Sequence, residues 1–193
     1  MLTDQFGIDH LTSKLKNGSL ALFPTDTLPA ICAYPEYSKK IWNIKKRPLN
    51  KPLILMGGCS EDLFQFVQPC ALEDGMNMAE RHWPGALTII LPTIGNFSQD
   101  LNCNSNSLGF RVPDLRMARD LLLETGPLAT TSANISGKTP VKDALEASIQ
   151  FPGIPILSPV PWPISSGIAS TVVEWKMGKW NVLRVGSVQI NPN

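Results

Sequence analysis

The sequence predicts a single α/β domain built on a twisted, mixed β-sheet with flanking helices. Short apolar runs alternate along the chain with segments whose apolar residues recur at helical spacing, a pattern typical of α/β proteins. The last two apolar runs are separated by Met177-Gly178-Lys179, which favours a hairpin and therefore an antiparallel pair within the sheet. The length of 193 residues suits one domain, which we expect to occupy residues 1–193.

In the first half of the chain, a strand at 20–23 opens into the polar loop PTDTLPA. A helix is predicted from Glu36 until Pro48 stops it, and its end carries three cations beside a loop: Lys45, Lys46 and Arg47. Two more strands are predicted at 53–56 and 86–91, with two helices between them.

In the second half, a strand at 108–112 precedes a helix that Asp114 can cap and that Gly126-Pro127 ends. A strand at 128–131 leads into the polar turn Ser132-Ala133-Asn134, and a helix follows at about 143–150.

The chain then continues through five prolines. This proline-rich segment, 151–167, predicts a long surface loop of the kind that serves as a lid or binding segment. Final strands at 171–175 and 182–185 form the predicted hairpin.

The composition is that of a globular protein with a large core. Hydrophobic residues make up 43% of the chain and charged residues 17%, which excludes a disordered chain and a coiled coil. Seventeen Lys and Arg against sixteen Asp and Glu leave a net charge of +1, so the whole chain has no strong attraction to nucleic acid or to an anionic membrane. Any anion site must therefore be built locally.

Two features predict a cytoplasmic protein with no membrane partner. The N-terminal residues lack the apolar core of a signal peptide, and no apolar run approaches the ~18 residues of a membrane span.

The cysteines have no close pair of the kind found in zinc or redox motifs, which favours buried free thiols at Cys32, Cys59, Cys70 and Cys103.

The common nucleotide, metal and hydrolase motifs are absent from the sequence. It contains no P-loop, no dinucleotide-binding glycine fingerprint, no HExxH and no GxSxG. His10 and His82 belong to no recognised catalytic or metal-binding motif, which favours structural roles and predicts no protein metal site.

Three polar clusters follow predicted strands or end a helix: Thr25-Asp26-Thr27, Ser132-Ala133-Asn134, and the cations Lys45, Arg47 and Lys51. Taken singly, each is explained by a turn, a cap or a helix dipole. Taken together they predict a ligand site, because the carboxyl ends of strands converge on the crevice of an α/β sheet. Hydroxyls, amides and several cations suit a polyphosphate when no P-loop is present.

Seven ordered segments resemble the YrdC domain: PTDT (24–27), IKKRPLNKPLIL (44–55), HWPGALTIIL (82–91), FRVP (110–113), GPLATTSANISG (126–137), STVVE (170–174) and VLRVG (182–186). The most specific part is the combination of Lys45 with Arg47 and Ser132 with Asn134. The resemblance runs from about residue 18 to 186, which we expect to be the core of the domain. The length resembles that of the short family members.

The resemblance implies an L-threonylcarbamoyladenylate synthase. Its members use L-threonine, bicarbonate and ATP, with Mg²⁺ expected on the nucleotide, to make threonylcarbamoyl-AMP and pyrophosphate. The product serves the modification of ANN-decoding tRNAs, so the implied partners are the downstream threonylcarbamoyl transferase machinery and tRNA or another RNA. Positioning and charge neutralisation suffice for this reaction, which needs no protein nucleophile.

The resemblance also implies the roles of individual residues. The ATP-binding residues would be Lys45, Arg47, Lys51, Ser107, Asn134, Lys142 and Arg184, with Lys45 and Arg47 also catalytic. The threonine-binding residues would be Thr27, Arg111, Ser132 and Ser170. Arg111 suits the carboxylate because a planar guanidinium pairs with it bidentately.

The chain departs from the family pattern directly after PTDT. The family usually has an aromatic residue and a glycine there, whereas this chain has Leu28-Pro29-Ala30, so we expect a different backbone beside the threonine site. Met56 stands where many members have a histidine. This departure leaves open a paralogue with an altered amino-acid substrate. A second alternative is a non-catalytic RNA-binding protein that uses the same basic site on a phosphate backbone.

Overall fold

The computed structural model describes residues 4–95, 97–101 and 105–190. Within these residues one sheet contains ten strands: β1 (Gln5–Phe6), β2 (Ala21–Phe23), β3 (Ala30–Ala33), β4 (Ile54–Met56), β5 (Leu87–Pro92), β6 (Ser107–Arg111), β7 (Leu128–Ser132), β8 (Ile156–Leu157), β9 (Thr171–Lys176) and β10 (Lys179–Arg184). The same residues form six α-helices: α1 (Ile8–Lys16), α2 (Lys39–Lys45), α3 (Glu61–Phe64), α4 (Pro69–His82), α5 (Arg116–Thr125) and α6 (Ala144–Gln150).

The strands lie in the order β1-β8-β2-β3-β7-β4-β6-β5-β9-β10. Parallel pairs such as β4 with β6 and β5 with β9 are combined with antiparallel pairs such as β3 with β7 and β9 with β10. The predicted mixed α/β sheet is therefore confirmed. Because the spatial order differs from the chain order, residues distant in sequence become neighbours.

The two faces of the sheet are covered by different helices. Alternation along β3 puts Ile31 and Ala33 in one core and Ala30 and Cys32 in the other. Helices α2, α4 and α6 contribute to the first core, and α1 and α5 to the second. The second core includes strand residues from β2, β3, β4, β7 and β8. The far part of that face, on β5, β6 and β9, is left for the cavity described below.

The strands predicted from apolar runs are confirmed with small shifts of their ends, and so is the C-terminal hairpin. Its turn has positive φ angles at Met177 (53°) and Gly178 (76°). A tight hairpin whose twist matches its strands has positive φ at both central residues, which explains the glycine.

Two predicted helix starts differ in the structure. The helix expected from Glu36 divides into a short 3-10 turn, Pro35–Tyr37, and α2, which ends at left-handed Lys46 before Pro48. Asp114 does not cap α5: Leu115 takes the N-cap position, and Asp114 Oδ1 accepts instead from Arg119 Nη1 at 3.0 Å.

Two further expectations were partly wrong. The proline-rich segment is more than a surface loop, because it contains β8 and because Trp162, 6% exposed, donates from Nε1 to the Leu157 carbonyl at 2.8 Å. Of the cysteines, Cys32 is buried as expected, whereas Cys59 is half-buried and Cys70 is exposed. Cys103 lies outside the described residues.

Three elements, β1, α1 and β3, were not predicted from the sequence. The strand β3 consists of Ala, Ile, Cys and Ala, mostly weak strand formers, and it is held by pairing with β2 on one side and β7 on the other. Such pairing depends on strands that are distant in sequence, so no local pattern predicts it.

None of the helices in the described ranges is long and apolar enough to cross a membrane.

Candidate functional site

A cavity of about 350 Å³ opens on the part of the sheet that α1 and α5 leave uncovered. Its floor follows alternate residues of neighbouring strands, because side chains on one face of a strand are two positions apart. The floor and walls include Ala30, Ile54, Met56, Thr88, Ile90, Gly109, Thr130, Ser132 and Val172. Four cations also line it: Arg47, Lys51, Arg111 and Arg184. The cavity thus combines an apolar floor with positive charge.

Arg111, at the end of β6, is 3% exposed and anchored by all three guanidinium nitrogens. Nη1 donates to Thr27 Oγ1 at 2.7 Å, Nη2 to Asp26 Oδ1 at 2.7 Å, and Nε to the Gly85 carbonyl at 3.0 Å. Burial lowers the pKa of Arg111 and the Asp26 carboxylate raises it. Since a guanidinium has five N–H groups, Nη1 and Nη2 each keep one N–H for a ligand.

The loop before β3 is ordered by side-chain hydrogen bonds. Thr25 Oγ1 lies 3.1 Å from Thr27 Oγ1, and it donates to the Leu28 carbonyl at 2.7 Å. Asp26 Oδ1, already bound to Arg111, also accepts from the backbone N–H of Asp114 at 3.1 Å. These contacts fix the Thr27 side chain, which is 2% exposed and lines the cavity.

The departure at Leu28-Pro29-Ala30 fits this loop without unusual backbone angles. The Pro29 carbonyl accepts from the Ala133 N–H at 2.8 Å, and Ala30 begins β3 opposite Phe23 and Ser132. Ala30 therefore has the extended backbone of a strand, in which alanine is not strained. Leu28 and Ala30 both line the cavity, so the departure changes its wall.

Ser170, just before β9, joins Thr88 and Arg184. Its hydroxyl oxygen lies 2.8 Å from Thr88 Oγ1 and accepts from Arg184 Nη2 at 3.2 Å. Arg184 Nε also donates to the Ser170 carbonyl at 3.0 Å. Burial lowers the pKa of Arg184. One cation and two hydroxyls therefore form a connected wall of the cavity.

Lys45, at the end of α2, lies behind the cavity rather than in its lining. It is 1% exposed, and its Nζ donates to the Ser132 carbonyl and lies 3.4 Å from Asn134 Oδ1. Ser132 Oγ donates to the same Asn134 oxygen at 2.7 Å. Burial first, and then the charge of Arg47, lowers the pKa of Lys45 to about 7. Lys45 thus supports the turn that carries Ser132 and Asn134.

Arg47 and Lys51 line the cavity from the loop between α2 and β4. Arg47 Nε donates to the Lys51 carbonyl at 3.2 Å and Nη2 to the Pro52 carbonyl at 2.9 Å. Burial lowers the pKa of Arg47. The two contacts orient the guanidinium within its own loop, and three of its five N–H groups are not used by them.

Seven of the residues predicted for the site line the cavity: Thr27, Arg47, Lys51, Arg111, Ser132, Ser170 and Arg184. Lys45 and Asn134 lie directly behind it. Ser107 begins β6, two positions before the lining residue Gly109 and so on the same face. Lys142 is exposed just before α6, where its N–H donates to Glu146 Oε2.

Thr88 and Gly109 lie in the cavity floor but were not predicted from the sequence. A signal existed for Thr88, because it is the polar residue within the apolar run 86–91. Asp26 was noted as part of a cluster but given no role, and the structure pairs it with Arg111.

The described residues contain no group of three or more His, Cys, Asp or Glu side chains that could hold a metal ion. A metal ion used in this cavity would need other ligands, such as phosphate oxygens.

Comparison of sequences gives one family. The model of the Sua5/YciO/YrdC family, described as "Telomere recombination", matches residues 13–186. A relative from Idiomarina loihiensis, named threonylcarbamoyl-AMP synthase, is 33% identical over 144 residues, which cover 72% of this chain and 77% of the relative. A relative of the same name from Bos taurus is 27% identical over 90% of this chain and 66% of its own.

Solved structures are similar over nearly the whole chain. P. abyssi Sua5 complexed with L-threonine matches with a TM-score of 0.81 and 28% identity, over 93% of this chain and 54% of the Sua5 chain. This chain thus spans about half the length of that protein. E. coli YciO matches with a TM-score of 0.81 at 21% identity, which supports the fold.

Proposed function

The chain belongs to the Sua5/YciO/YrdC family, and we propose that it makes threonylcarbamoyl-AMP and pyrophosphate from L-threonine, bicarbonate and ATP. Relatives named for this activity support the reaction, and the Sua5 complex with L-threonine supports the amino acid. One structural observation carries the proposal: hydroxyls and cations from separate segments of the chain line a single cavity.

The reaction joins two anions. The threonine amine and bicarbonate give a carbamate and water, and a carbamate oxygen then attacks the α-phosphorus while pyrophosphate leaves. The protein must bring a carbamate close to a triphosphate and neutralise their charge, and no protein nucleophile is needed. A cavity with Arg47, Lys51, Arg111 and Arg184 in its walls is suited to that task.

On the amino-acid side, we assign the carboxylate to Arg111. Its Nη1 and Nη2 each retain one N–H, and Thr27 and Asp26 hold the guanidinium in place. Ser132 and Ser170 would complete this subsite with their hydroxyls. Asp26 also balances the charge of Arg111, so the remaining cations are left for the nucleotide.

On the nucleotide side, we assign the phosphates to Arg47, Lys51 and Arg184. Ser107, Asn134 and Lys142 would contact outer parts of ATP. Lys45 would act through the turn it supports, because it is buried beneath Ser132 and Asn134. Mg²⁺ would enter with the nucleotide, bound to its phosphate oxygens.

The product is an activated acyl adenylate, which a downstream transferase must deliver to tRNA. We place this step in the cytoplasm. The near-neutral net charge of +1 does not favour direct binding of tRNA by this chain without catalysis.

The test is pyrophosphate release by the purified protein with ATP and bicarbonate, scanned across amino acids. We expect release that depends on threonine. Release without amino-acid dependence would contradict the proposal, as would RNA binding without any release. Release with another amino acid would favour a paralogue with an altered substrate.

A pair of arginine variants tests the cation assignment. We expect Arg47→Ala to reduce the rate by ~10² to 10³, as for loss of one preorganised electrostatic contact. Arg116→Ala is the matched control, because the Arg116 side chain is 89% exposed on α5. Equal rates in the two variants would remove Arg47 from the site, and melting curves of both would exclude unfolding as the cause.

A further inference from the structure

Thr88, in the cavity floor, is 2% exposed, and the two ends of its side chain face different strands. Its methyl faces Gly109, where a Cβ would lie 3.1 Å from Thr88 Cγ2. Its hydroxyl faces the opposite way and lies 2.8 Å from Ser170 Oγ. Pairing of β5 with β9 sets this direction, since Thr88 is opposite Val172, two residues after Ser170.

The hydrogen-bonding capacity of Ser170 is nearly filled by protein. A serine hydroxyl has one proton and two acceptor positions. Arg184 Nη2 occupies one acceptor position, and Thr88 takes either the proton or the second acceptor position. One site therefore remains for a ligand, and Thr88 decides whether that site is a donor or an acceptor.

Ser170 also connects two parts of the cavity. Through its carbonyl and its hydroxyl it holds the guanidinium of Arg184, which the proposed function assigns to ATP. The same hydroxyl is assigned to threonine. Thr88 is the residue that fixes this hydroxyl from the side away from Arg184.

We propose that Thr88 is a positioning residue that orients the Ser170 hydroxyl toward the amino-acid substrate. This inference rests on the proposed function, because it takes threonine as the ligand of Ser170. Thr88 acts through its hydroxyl, while its methyl lies where it would crowd a side chain at position 109.

The substitution Thr88→Val distinguishes the role of the hydroxyl from that of the methyl, because it keeps the shape of the side chain and removes the hydroxyl. We expect Thr88→Val to weaken threonine binding roughly five- to tenfold, the effect of one hydrogen bond, and to change ATP binding less. Thr88→Ser keeps the hydroxyl, and we expect it to bind threonine within about twofold of wild type.

The matched control is Thr93→Val. Thr93 is 1% exposed near the end of β5, and its hydroxyl donates to the Asn106 carbonyl at 3.1 Å, outside the cavity lining. We expect this variant to melt at a lower temperature and to bind threonine as wild type does. Comparing Thr88→Val with Thr93→Val distinguishes a positioning role of Thr88 from the general effect of losing a buried hydroxyl.

Calorimetric titration of threonine into each folded protein, with the threonine KM of pyrophosphate release measured beside it, gives the readout. Wild-type affinity in Thr88→Val, or equal loss in Thr88→Val and Thr88→Ser, would overturn the inference and leave the proposed function intact. No threonine binding by the wild-type protein would overturn both. Weak binding in Thr88→Val with recovery in Thr88→Ser supports the inference.

Discussion

The side-chain amine of Lys45 lies in the protein interior, where Nζ donates to the Ser132 carbonyl and lies beside Asn134 Oδ1. A charged group in such a place loses its hydration, and the neighbouring charge of Arg47 disfavours the protonated form further. Both effects lower the pKa of Lys45, to about 7. The structure thus places this predicted ATP-binding cation behind the cavity wall and not in its lining.

A pH dependence of stability follows. In the unfolded chain Lys45 titrates near 10.5, so between pH ~7 and ~10.5 the unfolded state binds more protons than the folded state. The contribution of Lys45 to the free energy of unfolding therefore rises with pH in that window. Below pH ~7 the destabilisation caused by burying the charged amine is fully present. We expect wild type to gain on the order of 1 to 2 kcal/mol over Lys45→Met between pH 7 and pH 9.

Urea denaturation of both proteins at the two pH values measures this difference. Lys46→Met is the control, since Lys46 is exposed and lies one residue further along the chain. Parallel pH profiles of wild type and Lys45→Met would contradict the depressed pKa.

At the scale of elements, the loop before β3 shapes the amino-acid side of the cavity. Leu28 and Ala30 line the cavity. The Thr27 hydroxyl contacts Thr25 Oγ1 and accepts from Arg111 Nη1, so Thr27 is held between the loop and Arg111. Arg47 and Lys51 lie on a different loop, which residues 28–30 do not constrain. The loop should therefore affect threonine more than ATP.

Replacement of Leu28-Pro29-Ala30 by Val-Tyr-Gly tests this separation. We expect the variant to bind threonine more tightly or to reject serine better, by about tenfold or more, the usual effect of a methylene-sized change in a pocket. ATP affinity should stay the same. Equal threonine and serine affinities in calorimetry of the two proteins would show that the departure has no effect on the substrate.

The end of the proline-rich segment is tied to the same loop. The N–H of Ser166 donates to the Asp26 carbonyl and that of Gly167 to the Thr27 carbonyl, both at 2.9 Å. Between β8 and these contacts Ile164 is fully exposed, and Ala169 and Ser170 then line the cavity. The contacts form a short strap beside the proposed threonine site.

Hydrogen exchange tests whether this strap responds to substrates. We expect amides at 164–168 to exchange faster without ligand and to become protected when ATP and threonine are bound, because the contacts proposed for the two substrates involve residues joined to the strap. The amides of β8 serve as the control, since they pair with neighbouring strands in the sheet. Identical exchange at 164–168 with and without substrates would exclude closure.

At the scale of the whole molecule, one face of the sheet serves two purposes. Part of it is covered by α1 and α5, and the rest forms the cavity floor. The charge needed for phosphates is concentrated in that cavity, while the chain carries a net charge of only +1. Concentrated charge favours a small anionic ligand over an extended polyanion.

Binding to RNA should accordingly be weak and confined to the cavity. We expect a plot of log affinity against log salt with a slope no steeper than about −3, corresponding to some three phosphate contacts, and competition by ATP. Filter binding of tRNA across salt concentrations, with and without ATP, measures both. A steep slope that ATP leaves unchanged would indicate a separate RNA surface.

The predictable part of the fold came from short-range patterns. Apolar runs located the strands near residues 20, 54, 87, 108 and 128, and Met177-Gly178 located the hairpin turn. The strand β3 was missed because its pairing with β2 and β7, rather than its composition, makes it a strand. Asp114 was mistaken for a cap because a residue suited to capping can equally pair with Arg119.

The sequence by itself determined the fold class, the family and most of the polar residues that line the cavity, because these depend on periodicity and on motifs a few residues long. Tertiary structure decided which side chains face the cavity. Lys45 and Ser132 are 87 positions apart and Thr88 and Ser170 are 82 apart, and the order of strands in the sheet brings each pair together. The burial of Lys45 and the link from Thr88 to Ser170 arise from these long-range contacts, which leave no local pattern in the chain.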